Sequence, residues 1–181
     1  MPHPFGNAMI PPRTSIQLAA PDCLRTRDSR YPVDRVILHG MDGTLAGTVA
    51  WFQTAGRNPP TAAHYCIGRD GEIVQMVPDD RKALHAGSPV EKGWNDRSIG
   101  IEFEVRIRPW TRKEWFPLND WPEPMLRSGA RVVRIMSDKF GFPIDRAHIL
   151  GHAEVPGATH TDPGSGFDWD RFMDMVAHAK A

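Results

Sequence analysis

The sequence predicts an α/β fold in which a single central mixed β-sheet is flanked by helices. Three observations lead to this class. Short β-branched or alternating apolar runs indicate strands, segments with apolar residues at helical spacing indicate amphipathic helices, and the two kinds of segment alternate along the chain. The 181 residues are enough for one domain with a substantial core, and no repeat or low-complexity segment suggests a second domain.

The predicted elements begin after a proline-rich stretch. Residues 1–30 lack periodicity, and we expect them to form a leader that packs on a domain spanning residues 31–181. The first strand is predicted over Arg35–Leu38, a β-branched run that ends at His39. A helix follows it, and Thr44 is suited to cap its first turn.

The middle of the chain predicts a hairpin and a longer strand. The runs Ala63–Ile67 and Glu72–Val77 read as two strands, and the Asp-Gly pair between them is typical of a tight hairpin turn. Ser98–Val105 alternates isoleucine and phenylalanine with glycine and glutamate. We expect a half-buried strand with its carboxylates on the face opposite its apolar side chains.

The last third predicts two helices around a short strand. Residues 106–124 hold three of the six tryptophans and read as a long loop, which in a compact domain is more often functional than idle. Pro124–Phe140 has helical apolar spacing and should stop at Gly141. A short strand at Ile149 and Leu150 and a closing helix over Phe167–Ala179 complete the set.

Composition excludes several function classes. The formal net charge is zero and the pI is about 7.1, so no overall field recruits nucleic acid or an anionic membrane. No apolar run approaches the ~18 residues of a membrane span, and no signal-peptide pattern opens the chain, so we expect synthesis in the cytoplasm. Cys23 and Cys66 do not form a disulfide framework, and we expect two independent thiols, with Cys66 buried in a strand.

The stretch GHAEVPGATHTDPGSGFDW carries the strongest chemical signal. It contains His152 and Asp162, and His39 lies earlier at the end of the first strand. Two histidines and one carboxylate form the ligand set of a hydrolytic zinc site, which keeps one position open. The alternative is that His152 is a packed histidine and that Asp162, ahead of a Pro-Gly pair, caps a turn.

Five motifs together resemble the type 2 zinc-dependent N-acetylmuramoyl-L-alanine amidases. They are HGMDGT, TAAHYCIGRDGEIVQMVPDD, ALHAG, NDRSIGIEFE and GHAEVPGATHTDPGSGFDW, in the family's order, from about Val33 to the last helix. The family includes phage endolysins, muropeptide-recycling amidases and peptidoglycan recognition proteins. The resemblance implies their fold and one Zn²⁺ held by His39, His152 and Asp162. Because loss of the third ligand marks the non-catalytic receptors, Asp162 favours an enzyme.

The resemblance also implies two catalytic residues. It selects Glu102 as the acid/base, whereas the residues alone leave open a solvated strand carboxylate like its neighbour Glu104. His160 stands where many members carry a lysine that stabilises the oxyanion, and an imidazole could do the same work. The alternative for His160 is a surface loop histidine.

Four further residues are candidates for substrate binding. His64 and His85 fall in segments that resemble the family's pocket, and Asn95 and Arg97 precede the SIGIE strand. The planar fork of Arg97 suits a peptide carboxylate, although a bland surface loop would explain this pair equally well. The tryptophans of residues 106–124 could stack on sugars or cover the sheet.

The function implied is hydrolysis of the amide between the lactyl group of N-acetylmuramic acid and L-alanine. The partner would be peptidoglycan or a muropeptide, with no nucleic acid and no membrane span, and we expect a monomer. The tryptophan-rich loop and the opening VILHG…GTxxWFQ favour a phage-type endolysin acting on the cell wall. The alternatives are a cytoplasmic muropeptide-recycling amidase and, in a different class, a non-catalytic peptidoglycan-binding protein.

Overall fold

The computed structural model describes residues 14–41, 43–88, 90–105 and 120–180, and these ranges form one mixed sheet with helices on both faces. The strands are β1 (Thr14–Ile16), β2 (Arg25–Thr26), β3 (Arg35–Met41), β4 (Tyr65–Ile67), β5 (Ile73–Gln75), β6 (Arg81–Lys82), β7 (Ser98–Glu104) and β8 (Ile149–Gly151). The α-helices are α1 (Leu45–Gln53), α2 (Trp94–Arg97), α3 (Glu123–Phe140) and α4 (Trp169–His178). The predicted fold class is confirmed.

The main sheet has six strands in the order β1-β5-β4-β7-β3-β8. Only β4 and β5 pair antiparallel, as the predicted hairpin, and all other neighbours in this sheet run parallel. β7 and β3 lie at the centre and pair over seven residues each. Their apolar sequences suit this position, because parallel strands are normally covered on both faces. β2 and β6 form a separate two-stranded ribbon.

The two faces of the sheet bury different clusters. Helices α3 and α4 cover one face, where the apolar residues of β3 and β7 surround the aromatic ring of Phe103. Gly129 of α3 allows close packing there, since a Cβ at this position would lie 2.4 Å from the Phe103 ring. Helix α1 covers part of the other face, above the buried thiol of Cys66. The functional candidates lie on this second face.

Most predicted elements are confirmed, with shifted ends. The Thr44 hydroxyl caps α1 by accepting from the Gly47 N–H, and Gly141 ends α3 in the left-handed conformation. The Asp-Gly hairpin turn is also present. Strand β3 runs two residues past His39, so the histidine lies inside the strand rather than after it. Both cysteines are free and Cys66 is buried in β4, as predicted, and Cys23 is buried as well.

The description of β7 as half-buried was wrong. Ser98 and Gly100, on the face of the two glutamates, are buried as well. The strand is central in the sheet, so its second face is covered by the loop that contains His85 rather than by solvent. Only the end of the strand that carries Glu102 and Glu104 is partly accessible.

Several elements were not predicted. Residues 14–30 contribute β1, a 3-10 turn and β2, and short helix α2 occupies a segment read as loop. Arg27, from the same early segment, reaches into the domain and donates to the backbone carbonyls of Asp79, Asn95 and Ser98. The division of the chain at residue 30 stays a prediction. Within the described ranges, no helix is long and apolar enough to cross a membrane.

Candidate functional site

The site is built on two neighbouring parallel strands. His39 of β3 and Glu102 of β7 are direct register partners, and Cys66 of β4 is the partner of Glu102 on its other side. Register partners in a parallel pair point to the same face, so the imidazole and the carboxylate project side by side into one cleft. The cleft has a volume of about 640 Å³.

The cleft is lined by both polar and apolar side chains. The residues with chemically active side chains that line it are His39, His85, Glu102, His152, His160 and Asp162. Its apolar lining comes from Met41, Trp51, Phe52, Ala62 and Leu84. The three predicted metal ligands and the two predicted catalytic residues therefore meet in one cavity.

A close chain approach brings Asp162 to His152. Strand β8 ends at Gly151, and a Cβ there would lie 2.6 Å from Cδ of Pro163. Only glycine leaves room for the returning loop at this point. The Ala153 N–H then donates to the backbone carbonyl of Asp162 at 3.1 Å, which fixes the loop beside the histidine.

The three predicted ligands form a compact cluster. Nδ1 of His39 lies 3.0 Å from one carboxylate oxygen of Asp162, and Nδ1 of His152 lies 3.3 Å from the other. One ligand atom from each residue lies within 4.8 Å of the others. Two imidazole nitrogens and one carboxylate oxygen, open to a cleft on one side, fit the donor set of a hydrolytic zinc site. The cluster therefore suits the predicted metal.

The electrostatics of the cluster favour an ionised carboxylate. Burial alone would raise the pKa of Asp162, but hydrogen bonding with the His152 and His39 rings holds that pKa well below its ordinary value. Burial lowers the pKa of His39, against the opposing effect of Asp162. A neutral imidazole and an anionic carboxylate are the forms that bind a cation.

Glu102 is a carboxyl group poised to exchange a proton. Burial, and then the nearby Asp162 carboxylate, raise the pKa of Glu102 to about 8. Among the residues the structure describes, its Oε2 is buried and has no hydrogen-bond partner. The solvated-carboxylate alternative does not describe this environment. A carboxyl group with a pKa near neutral can act as both general base and general acid.

His160 lies at the cleft rather than on a remote surface loop. Its ring stacks on that of His152, with centroids 4.9 Å apart and planes 13° apart, and it lines the cavity while staying exposed. An imidazole N–H at this position can reach a group bound in the cleft. The catalytic role of His160 stays a prediction.

His85 contacts His39, one of the three predicted metal ligands. Its Nδ1 lies 2.9 Å from Nε2 of His39, and its Nε2 lies 3.1 Å from the Ser98 hydroxyl. The side-chain oxygen of Asn95 accepts from the backbone N–H groups of His85 and Ala86, at 2.9 and 2.8 Å. Asn95 therefore holds the segment that carries His85, and it is not among the residues that line the cleft.

The other two predicted substrate-binding residues lie away from the cleft lining. His64 is fully buried, and its Nδ1 accepts from the Gly100 N–H at 2.9 Å. Arg97 forms an ion pair with Asp34, with Nε 3.0 Å from the carboxylate. A substrate role for Arg97 would require this pair to break, and both substrate roles stay predictions.

The sequence reasoning did not single out Trp51 as a site residue. This residue of α1 is 57% exposed and lines the cleft, with the Arg57 guanidinium 4.8 Å from its ring. The available signal was a large aromatic residue adjacent to the apolar face of a short helix. Trp121 instead packs against Phe103 and Phe167 in the core, whereas the other two tryptophans of the predicted loop lie outside the described residues.

Comparison with known proteins agrees with this geometry. The family model of N-acetylmuramoyl-L-alanine amidase, type 2, matches residues 29–165. The chain is 35% identical over 120 residues to the 1,6-anhydro-N-acetylmuramyl-L-alanine amidase AmpD of Enterobacter cloacae, a match that covers 64% of this chain and 57% of that protein. It is 28% identical over 159 residues to N-acetylmuramoyl-L-alanine amidase A of Achromobacter lyticus, covering 78% and 81%. The match thus spans less than two thirds of the Enterobacter relative.

Solved structures share the fold. A selenomethionine derivative of AmpD superposes with a TM-score of 0.66 at 24% identity, covering 91% of this chain and 94% of that one. AmiD from E. coli, in complex with anhydro-N-acetylmuramic acid-L-Ala-D-gamma-Glu-L-Lys, gives 0.65 at 19% identity, covering 83% and 60%. PlyL gives 0.61 at 17%, covering 95% and 100%. The family match covers about three quarters of this chain, so the chain belongs to the type 2 N-acetylmuramoyl-L-alanine amidase family.

Proposed function

We propose that this protein is a zinc-dependent amidase that cleaves the bond between the lactyl group of N-acetylmuramic acid and L-alanine. One observation carries the proposal. The buried, unpartnered carboxylate oxygen of Glu102 lies in the same cleft as the cluster of His39, His152 and Asp162, among the described residues. A cation site beside a carboxyl group with a pKa near neutral is an arrangement that can perform metal-assisted amide hydrolysis.

The residues divide the work as follows. His39, His152 and Asp162 would hold one zinc ion, which would supply Lewis-acid polarisation of the scissile carbonyl and a lowered pKa of a bound water. Glu102 accepts a proton from the attacking water at its carboxylate and passes it to the leaving nitrogen. His160 donates an imidazole N–H to the carbonyl oxygen as negative charge develops there.

The cleft lining supports a substrate with both sugar and peptide parts. Trp51 offers an exposed indole face on one wall, which suits a sugar ring. The relatives named above act on N-acetylmuramoyl-L-alanine or its 1,6-anhydro form, as their names state. The substrate is therefore a muropeptide or peptidoglycan.

Two biological settings remain for this chemistry. The tryptophan-rich segment favours an endolysin, and a mutant endolysin from Bacillus subtilis shares the fold. The AmpD relatives, at 32% to 38% identity, favour a recycling amidase that acts on soluble anhydromuropeptides. Rates on a soluble anhydromuramyl peptide and on purified sacculi, compared at equal enzyme concentration, separate the two. A monomeric state and synthesis in the cytoplasm stay predictions.

The test of the reaction is product analysis on the purified full chain. We expect free L-alanine amino termini without new reducing sugar ends, loss of activity on chelation and recovery with zinc. His39→Ala, His152→Ala and Asp162→Ala should each lower the zinc content, whereas His178→Ala, an exposed histidine of α4, should not.

Other outcomes would contradict the proposal in distinct ways. Substrate binding without release of amino termini would support the non-catalytic peptidoglycan-binding alternative. Full zinc occupancy in all three ligand variants would place the metal elsewhere. Release of reducing ends would indicate cleavage of the glycan instead of the amide.

A further inference from the structure

The contacts of His39 continue away from the cleft through a chain of hydrogen bonds. Nε2 of His39 meets Nδ1 of His85 at 2.9 Å, and Nε2 of His85 meets the Ser98 hydroxyl at 3.1 Å. The Ser98 hydroxyl meets the backbone carbonyl of Trp94 at 2.5 Å. Ser98 is fully buried and Trp94 nearly so, which makes the far end of this chain a fixed part of the core.

The proton positions along the chain follow from its far end. A backbone carbonyl only accepts, so the single hydroxyl proton of Ser98 is committed to Trp94. Ser98 Oγ must then accept from His85, which places the His85 proton on Nε2. In a neutral His85 ring, Nδ1 is then unprotonated and accepts a hydrogen bond from Nε2–H of His39.

This order determines which nitrogen of His39 is free. When a cation displaces the proton between Nδ1 and Asp162, His39 keeps its other proton on Nε2 and presents the lone pair of Nδ1 to the gap shared with Asp162 and His152. Two electron-rich groups, Nδ1 and the carboxylate, then face the same space, which suits a divalent cation.

A second, independent observation concerns Gly100. This residue of β7 has no left-handed backbone, so its glycine is not required by conformation. A Cβ at Gly100 would lie 2.6 Å from Cγ and Nδ1 of His85. The missing side chain provides the space in which the His85 ring lies flat against the strand.

We propose that His85 is a positioning residue that fixes the tautomer and orientation of His39 for metal binding, and that Gly100 is required to seat the His85 ring. This inference rests on the proposed metal site and deepens it. The direct substrate contact expected for His85, which also lines the cleft, stays a prediction. Partners of this kind on ligating histidines typically change metal affinity 10- to 100-fold when removed.

The test measures zinc affinity of the purified full chain by competition with a chromophoric chelator. His85→Ala should bind zinc about 10- to 100-fold more weakly. His85→Asn should recover most of the affinity, because its side-chain oxygen can replace Nδ1 as the acceptor. Gly100→Ala should weaken binding while every hydrogen-bonding side chain is retained, since it displaces the ring.

Gly129→Ala is the matched control for a steric insertion. A Cβ added at residue 129 would clash with the ring of Phe103. Phe103 follows Glu102 in β7, but its side chain lies on the face of the sheet opposite the cleft. Gly129→Ala should lower stability and leave the zinc affinity of the folded protein within about twofold. Nitrogen-15 NMR of the zinc-loaded protein adds a direct readout, in which the Nε2–H proton of His39 exchanges slowly in the wild type and rapidly in His85→Ala.

Each contrary result has its own meaning. Zinc affinity of His85→Ala within twofold of wild type, or His85→Asn as weak as His85→Ala, would overturn the positioning role and leave the proposed function intact. If Gly129→Ala weakened zinc binding as much as Gly100→Ala does, the effect of Gly100→Ala would be a general loss of stability and would not support the role of Gly100. A wild-type chain that binds no zinc would overturn both.

Discussion

Glu102 faces His39 across adjacent parallel strands, and the two residues are partners in register at the centre of the sheet. This pairing places a carboxyl group with a raised pKa beside a predicted metal ligand, and neither side chain is carried by a loop. Both positions are held by strands that are buried over most of their length. Sites built on rigid elements hold their geometry more closely than sites on loops.

Replacing Glu102 tests its role in proton transfer. Glu102→Gln keeps the shape and removes the base, so kcat should fall by roughly 10²- to 10⁴-fold with zinc content unchanged. Glu104→Gln is the matched control two residues away, where the carboxylate accepts from the Arg69 N–H instead. Similar kcat values for the two variants would show that Glu102 is not the acid/base.

The same residue should make metal-free stability depend on pH. Folding raises the pKa of Glu102 from about 4.5 to about 8, so unfolding releases a proton between these values. The contribution of Glu102 to stability should therefore be lost as pH rises from 4.5 to 8, while the buried histidines, whose pKa values are lowered, act in the opposite direction. The cost is about 1.4 kcal/mol for each pKa unit, which bounds the contribution of Glu102 at about 5 kcal/mol.

Glu102→Gln removes this titration. Relative to wild type, the metal-free variant should gain stability at pH 9 and gain little at pH 4, because the other titrating groups cancel in the difference. Denaturant unfolding of both proteins at the two pH values measures the effect. A stability difference that does not change with pH would mean that Glu102 ionises normally in the folded protein.

His160 should contribute to transition-state binding. His160→Ala should lower kcat by roughly 10²-fold, as loss of one oxyanion donor does elsewhere, and His160→Lys should retain most of the activity at the same pH. Zinc content must be measured in parallel, because the ring stacks on His152. If His160→Ala kept its full zinc content and the kcat of the wild type, His160 would have no catalytic role and would be an ordinary loop histidine.

Trp51 should bind the sugar part of the substrate. Trp51→Ala should raise KM about tenfold on a muramoyl peptide, equivalent to about 1.4 kcal/mol, with kcat little changed. Trp51→Phe keeps an aromatic face and should stay close to wild type. An unchanged KM for Trp51→Ala would show that the glycan lies elsewhere in the cleft.

The sequence was sufficient for the elements with strong periodicity. The alternation in Ser98–Val105 and the β-branched run before His39 predicted β7 and β3, and the cap at Thr44 predicted the start of α1. Their order in the sheet could not be read from the sequence, because register partners such as His39 and Glu102 are 63 positions apart. The burial of both faces of β7 depends on that order.

The candidate site was predicted unevenly for a related reason. Motifs identified residues that share a cleft, such as His152 and Asp162, which lie ten positions apart in one loop. The motifs did not distinguish residues that line the cleft from residues such as Asn95 and Arg97, which are not part of its lining. Arg97 pairs with Asp34, and Asn95 braces the segment of His85. The partner of Arg97 comes from a distant segment, and Asn95 acts through backbone N–H groups, so a local sequence pattern records neither contact.

The early strand β1 has a consequence for how the sheet ends. Strand β5, with its buried Ile73 and Val74, would otherwise present an apolar edge with unpaired backbone groups. β1 covers that edge with a three-residue strand that begins with Thr14 and Ser15 and is partly exposed. Short, polar edge strands protect sheets against pairing with other chains. Strand β1, which lies before the family match at residue 29, thus protects this edge of the sheet, and we expect a fragment trimmed to the matched region to aggregate more readily through the exposed edge of β5.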